Sequence, residues 1–301
     1  MSSPASDPIT ALSDPGPVAS MQLGDGFADH VDARDPMQFV HTLCGHPLLQ
    51  TEAIAQLAET LSTESITCEP AVKPLVVPVA APEPERAANA ARIIRSLDTS
   101  DAWMTLLNVE QHPTYRGLID EQLDAIASRA GLRPADLTRR AGFIFASSPN
   151  SVTPAHFDIE HSLLIQLRGN RSLGFGSFAD RDVRDREVRR YWNGSYGRLI
   201  AMPDPLSEVT LAPGVGVYIP PYTPHWLTNG DAPSLSLTIT FFTRSNDTES
   251  LAQAFNERLR RLGLRPRRAG QSLRRDEAKA GVMRTYSALR GRFRATKPAP
   301  R

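Results

Sequence analysis

Residues 234–241 read Ser234-Leu-Ser-Leu-Thr-Ile-Thr-Phe241. Side chains of a strand point alternately to the two faces of a sheet, so Leu235, Leu237, Ile239 and Phe241 share one face and Ser234, Ser236, Thr238 and Thr240 the other. No helical period fits this run. Outward from it lie further short apolar segments: Gly142–Ala146, Ser162–Leu167, Ser172–Phe178, Val215–Ile219 and His225–Asn229. Turn signals separate several of them, with Gly169-Asn170 reading as a tight hairpin and Asn229-Gly-Asp231 as a second turn. Most neighbouring strands have no helix of crossover length between them. They must therefore pair antiparallel, as in a sandwich or jelly roll, rather than in a parallel sheet.

The chain upstream is of a different kind. Residues 1–34 are rich in Pro, Ser, Asp and Gly without apolar periodicity, and a mobile segment is expected there. From Asp35 the spacing of Phe39, Val40 and Leu43 predicts a helix. A second is predicted over 51–61, capped by Thr51, with Ile54, Leu57, Ala58 and Leu61 on one face. Residues 69–85 are too proline-rich for a helix and read as an extended connection. Helices are predicted again over 85–97 and 115–130, with a short strand at 102–109 between them. The resulting layout is a segment 1–34, a helical elaboration with an early core strand at 35–140, a β core at 141–245 and a helical tail at 246–301. The fold class is mainly β with helical additions, α+β.

Composition narrows the function. At 301 residues, 41% apolar and 22% charged, the chain has the make-up of an ordinary globular protein. No run of about 18 apolar residues offers a membrane span. The start lacks the basic n-region and apolar stretch of a signal peptide. Cys44 and Cys68 are the only cysteines, which excludes a disulfide scaffold and an all-thiolate metal site, and makes the cytoplasm the expected compartment. The net charge of +1 hides an asymmetry: residues 1–255 hold 19 basic against 30 acidic residues, and residues 256–301 hold 15 against 3. Such a tail suits phosphates, RNA or anionic lipid, but a tail docked on its own acidic body or on a second subunit is the favoured reading.

The chemistry concentrates in Thr153-Pro-Ala-His-Phe-Asp158 and Ile219-Pro-Pro-Tyr-Thr-Pro-His-Trp226. Read as a strand, the first segment projects His156 and Asp158 from one face, as two adjacent ligands of a metal ion. His225, entering a strand after a proline-rich turn, is the candidate third. Two histidines and one carboxylate leave three octahedral positions open, the pattern of non-haem Fe(II) oxygenases, whereas a structural zinc site closes all four positions. A His-x-Asp triplet alone is a weak signal, and the distant His225 in matching strand context is what strengthens it. His161 stands at odd spacing from His156 and is expected on the opposite sheet face. His30, His41, His46 and His112 read as surface or capping residues.

These segments, together with Leu163-Leu-Ile-Gln-Leu-Arg-Gly169, Pro213-Gly214 and Tyr218-Ile-Pro-Pro-Tyr-Thr-Pro-His225, resemble the catalytic core of JmjC-type, cupin-like Fe(II)/2-oxoglutarate-dependent oxygenases of the stand-alone bacterial kind, similar to small JmjC hydroxylases. The resemblance covers residues 143–242, about a third of the chain. It implies a cupin-like double-stranded β-helix (jelly roll) with a helical N-terminal region and C-terminal helices. It also implies Fe(II) and the co-substrate 2-oxoglutarate, with O₂ and a further substrate as reactants. His156, Asp158 and His225 match the iron ligands. Arg171 stands where the family usually has a lysine that holds the distal carboxylate of 2-oxoglutarate. Thr153 matches a hydroxyl reaching the same carboxylate, and Thr240 a polar residue on the last core strand. Ser162 replaces a frequent asparagine. The implied product is a hydroxylated substrate, or a demethylated one when the attacked carbon is bound to nitrogen, and protein, RNA and small molecules all remain open as substrates. C-terminal helices form a homodimer interface in relatives, which is the first expectation for Leu251, Phe255, Leu259, Leu262 and Leu264. Two other readings stand beside this one: a non-catalytic regulatory or binding module that contacts nucleic acid through its tail, and a metal-dependent cupin of another reaction class. The charged run Asp180–Arg190 reads as a solvated helix face.

Overall fold

A computed structural model describes residues 20–23, 26–80 and 82–295, with residues 289–295 described by backbone alone. In chain order the elements are β1 (Met21–Gln22), α1 (Phe27–Ala33), β2 (Met37–His41), α2 (Thr51–Thr60), β3 (Ile66–Glu69), α3 (Pro84–Ala88), α4 (Ala90–Arg95), β4 (Trp103–Leu106) and α5 (Pro113–Arg129). There follow β5 (Thr138–Ser147), β6 (Val152–His156), β7 (His161–Arg168), β8 (Arg171–Ser177) and α6 (Arg181–Arg190). The last are β9 (Asp204–Leu211), β10 (Val215–Ile219), β11 (His225–Asn229), β12 (Ser234–Phe242), α7 (Arg244–Arg261) and α8 (Leu273–Ala295).

Among the described residues the strands form two antiparallel sheets, one in the order β1-β2-β10-β7-β12-β5-β4-β3 and one in the order β6-β11-β8-β9. This is the jelly roll expected from the strand pattern. The alternation in β12 explains the layering. Leu235, Leu237, Ile239 and Phe241 face outward into a core shared with Ile54 and Leu57 of α2, Ile94 of α4, and Leu118 and Leu123 of α5. Between the sheets, Leu164, Leu173, Phe175, Val217, Ile219 and Leu227 form a second apolar cluster. The polar face of β12 is also buried, with Ser236 at 0% and Thr240 at 5% exposure. Buried hydroxyls are retained only where partners exist, so this interior is built for polar contacts.

Several expectations are corrected. Residues 37–41 are a strand rather than a helix: β2 pairs with β10, Val40 opposite Val215 and Phe39 opposite Gly216. Phe39 and His41 are buried while Val40 is 55% exposed, a period of two that the short run concealed. Gly216 is required here, because a Cβ would enter the Phe39 ring. Of the segment expected to be mobile, residues 1–19, 24 and 25 lie outside the described residues. Met21, Phe27 and Val31 are buried, and Phe27 packs edge-on against Tyr218 at 5.3 Å. The 85–97 helix is two, broken at Asn89, and the helix over 51–60 begins with Thr51 inside it and Gln50 at the N-cap position, without a side-chain capping bond. Strand β9 had no sequence signal because nearly all its side chains are exposed on a sheet edge. The boundary drawn at 140 crosses a continuous sheet, since β4 pairs with β5.

His161 lies in the core between Tyr218 and Phe241, its Nδ1 2.8 Å from Tyr218 Oη and its Nε2 3.2 Å from Thr243 Oγ1. Burial, reinforced by the charge of Arg34, lowers its pKa to about 3. The native state holds this imidazole neutral, so its contribution to stability is complete above pH 6.5 and is lost as pH falls toward 3, at about 1.4 kcal/mol per pH unit. His161→Gln is expected to remove one proton's worth of slope from the pH dependence of urea unfolding between pH 6.5 and 4. An unchanged slope would contradict this assignment.

Candidate metal centre

Strand β6 is the edge of the smaller sheet and pairs with β11, so that His156 faces His225. Further along, Thr153 pairs with Leu227, so three steps on β6 match two on β11. One extra residue in β6 is a bulge, and it turns Thr153 and His156, three apart, to the same side. The imidazole rings of His156 and His225 stand 4.1 Å apart between centroids. Each Nδ1 lies against a backbone carbonyl, His156 against Pro154 O at 2.8 Å and His225 against Thr223 O at 2.9 Å. A carbonyl can only accept, so both Nδ1 atoms carry the proton and both Nε2 lone pairs are free to bind a metal. Burial, then the neighbouring His225, hold the His156 pKa well below its ordinary value and keep this ligand neutral.

Asp158 does not lie in the strand. Strand β6 ends at His156, and the carboxylate is carried by the following loop, so alternation along a strand does not account for its position. Its neighbour Phe157 supplies the constraint: the ring is fully buried against Phe178, Tyr191 and Tyr222. Tyr222, held at φ +63°, donates its backbone N–H to Asp158 O at 2.6 Å. Arg184 of α6 stacks 4.7 Å over the Tyr222 ring and is paired with Glu249 of α7 at 2.9 Å. The charged run at 180–190 thus buttresses the loop rather than merely facing solvent. The ligand atoms of His156, Asp158 and His225 all lie within 4.8 Å of one another. Asp158 is 34% exposed and His225 only 3%, so the site opens on the carboxylate side. Two imidazoles with free Nε2 atoms and one carboxylate, with no thiolate and an open face, suit Fe(II).

Arg171, the first residue of β8, points into the same interior. It is 3% exposed, and burial lowers its pKa to about 10. Its Nη1 donates to Ser236 Oγ at 3.2 Å and its Nη2 to Thr153 Oγ1 at 2.8 Å, while Nε has no partner among the described residues. Among the described residues no carboxylate pairs with it. Trp103 Nε1 also donates to Thr153 Oγ1, at 2.9 Å. With both lone pairs accepting, the Thr153 hydroxyl must donate its own proton. A buried guanidinium without a counter-ion and an adjacent obligate donor form a ready cradle for an organic carboxylate.

The structure thus brings His156, Asp158 and His225 together, and separately joins Arg171 and Thr153. Thr240 is not part of the arginine cluster. It lies four residues along β12 from Ser236, opposite Ser162 on β7. Ser162 Oγ reaches Asp158 Oδ2 at 3.4 Å. Thr240 is therefore level with the carboxylate ligand rather than with the guanidinium. Sequence reading missed Ser236 and the indole of Trp103, because neither carries a motif, although both lie on strands the pattern located. It also missed Glu160, whose carboxyl burial and the charge of Asp158 push up to about 7. An open cleft of about 520 Å³ between α6, α7 and the connection to α8, lined by Arg181, Arg184 and Glu249, contains none of the three ligands.

Residues 129–251 match the family model described as a JmjC domain. No curated protein matches the chain. Among solved structures, Escherichia coli ribosomal oxygenase YcfD aligns over 89% of this chain and 68% of its own, at 13% identity and a TM-score of 0.46. YcfD from Escherichia coli in complex with cobalt and 2-oxoglutarate aligns over 90% and 68%, at 14% identity and a TM-score of 0.43. The coconut allergen cocosin aligns over 47% and 27%, at 12% identity and a TM-score of 0.29.

If the Arg171 cradle takes a carboxylate, Arg171→Gln should weaken 2-oxoglutarate binding to the Mn(II)-loaded protein about tenfold or more, the worth of one charged hydrogen bond. Calorimetric titration checks this, with Mn(II) affinity expected to stay unchanged. Equal 2-oxoglutarate affinity in the variant would remove Arg171 from the site.

Proposed function

We propose, from the JmjC domain carried by residues 129–251, that this protein is an Fe(II)- and 2-oxoglutarate-dependent oxygenase that hydroxylates its substrate. The observation that carries the reading is the three-ligand cluster of His156, Asp158 and His225 with an open face, set in the same interior as an unpaired buried guanidinium. An incomplete ligand set beside an anion cradle is what a metal that must also bind a 2-oxoacid and O₂ requires.

Each residue then has a task. His156 and His225 present Nε2 lone pairs, fixed in direction by the carbonyls of Pro154 and Thr223. Asp158 supplies the one negative charge among the ligands. Arg171 and Thr153 hold the remote carboxylate of the co-substrate, and Thr240 and Ser162 line the interior beside Asp158. Trp103 covers Thr153 and keeps water from the cradle. With Fe(II), 2-oxoglutarate and O₂ bound, the chemistry supplied is oxidative decarboxylation of the 2-oxoacid to succinate and CO₂, coupled to hydroxylation of a substrate C–H bond. Hydroxylation of a carbon on nitrogen would end in demethylation. The substrate is a protein side chain, an RNA or a small molecule.

A cytoplasmic location and a homodimer through the C-terminal helices belong to the same reading. Leu273, Val282 and Tyr286 of α8 are exposed, which supports the second. Among the described residues no helix is long and apolar enough to cross a membrane.

The test is uncoupled turnover. Purified protein incubated with Fe(II), 2-oxoglutarate and ascorbate should form succinate slowly without added substrate, and His156→Ala should not. Absence of iron-dependent succinate, together with absence of 2-oxoglutarate binding, would favour a non-catalytic module.

A further inference from the structure

A second charged cluster lies beside the strand that carries His156. Residues 197–199 run antiparallel along the free edge of β6: Phe157 N–H donates to Gly197 O at 3.2 Å and Leu199 N–H to Ala155 O at 2.9 Å. This register sets Arg198 directly opposite His156, in a non-hydrogen-bonded pair. Facing side chains of such a pair lie on one side of the ribbon with Cβ atoms about 4.5–5.5 Å apart. Gly197 makes the approach feasible, because its φ is +84° and a Cβ there would strike Phe157 O.

Arg198 is 11% exposed at its side chain. Its Nη2 donates to Glu69 Oε1 at 2.5 Å, while Nη1 is buried and has no partner among the described residues. The other oxygen of Glu69 takes Lys73 Nζ at 2.7 Å, and both of those side chains are 8% exposed. Lys73 lies 4.2 Å over the indole of Trp103, and Arg198 lies 5.7 Å from the same ring. The cluster therefore holds two cations against one carboxylate, almost wholly out of water. Isolated buried charge is costly and persists where a ligand completes it. Glu69 orients the guanidinium and leaves Nη1 with a hydrogen and no acceptor.

We propose that Arg198 is a specificity residue that recognises an acidic group of the substrate, a carboxylate or a phosphate, and holds it beside the metal. The inference rests on the oxygenase reading for the presence of metal and 2-oxoacid. Within that reading the remote carboxylate of 2-oxoglutarate already has Arg171, so the acceptor that Arg198 lacks comes from a second molecule. Glu69 is a positioning residue, because among the described residues its carboxylate accepts from Arg198 and Lys73.

The experiment uses the full chain loaded with Mn(II) and 2-oxoglutarate, with ¹³C-acetate and inorganic phosphate as separate probes. Relaxation of ¹³C or ³¹P by Mn(II) reports binding near the metal and needs no turnover. Saturable relaxation of at least one probe is expected, and the tighter of the two identifies the acidic group. Arg198→Gln should weaken it about tenfold or more, and Arg198→Lys less, the worth of a charged hydrogen bond. Affinity for 2-oxoglutarate should stay within about twofold in both variants. Circular dichroism and the unfolding midpoint confirm that each variant folds. Absence of probe relaxation in the wild type, equal relaxation in Arg198→Gln, or loss of 2-oxoglutarate binding in that variant overturns the proposal. Should the wild type bind neither Mn(II) nor 2-oxoglutarate, the oxygenase reading fails instead. A change in indole fluorescence on adding acetate or phosphate to the metal-free protein, lost in Arg198→Gln, still decides whether Arg198 takes an anion.

Discussion

The centre depends on one cross-strand pair. His156 and His225 are 69 positions apart in the sequence, and only the antiparallel register of β6 and β11 brings their rings to 4.1 Å. Two imidazoles placed so close repel when protonated, and burial disfavours the charge further. The backbone carbonyls of Pro154 and Thr223 settle the tautomers, so both Nε2 atoms stay available to a metal. The bulge that permits this register also turns Thr153 inward. A single irregularity in β6 therefore links the His156–His225 pair to Thr153 and, through it, to Arg171.

Around that pair the interior is arranged by charge. The polar face of β12 supplies Ser236 to Arg171, and β4 supplies Trp103 to Thr153. The guanidinium is thus fixed by neutral partners that orient it without cancelling its charge. Arg198 differs, since Glu69 both orients and partly neutralises it. Low local dielectric strengthens such interactions and raises the cost of leaving them incomplete. The helices around the jelly roll contribute by packing. The N-terminal ones cover the apolar face of the large sheet, and α6 and α7 brace the loop that carries Asp158 through the Arg184–Glu249 pair.

Much of this was legible in the residues. The alternation at 234–241, the apolar segments and the turn pairs located β5, β7, β8, β10, β11 and β12 to within a few residues. The same segments pointed to His156, Asp158 and His225, whose potential ligand atoms the fold brings within 4.8 Å of one another. Local pattern fails where it is ambiguous or silent. Phe39 and Leu43 share a helical spacing, yet pairing with β10 decided that segment as strand. Strand β9 is almost entirely exposed, so no apolar period marked it. Asp158 lies one residue beyond Phe157 past the end of β6, so strand alternation alone does not place it; the buried Phe157 ring and the Tyr222 N–H bond to Asp158 O hold that loop. Glu69, Lys73 and Arg198 come from separated stretches joined only by the edge pairing of residues 197–199, and no spacing in the sequence could announce them.

The most direct test of the metal centre is a crystal structure of the protein grown or soaked with Fe(II) without oxygen. A single ion is expected, bound by Nε2 of His156, Nε2 of His225 and a carboxylate oxygen of Asp158, with solvent or co-substrate in the remaining positions. An ion bound elsewhere, or one closed off by a fourth protein ligand, would contradict it.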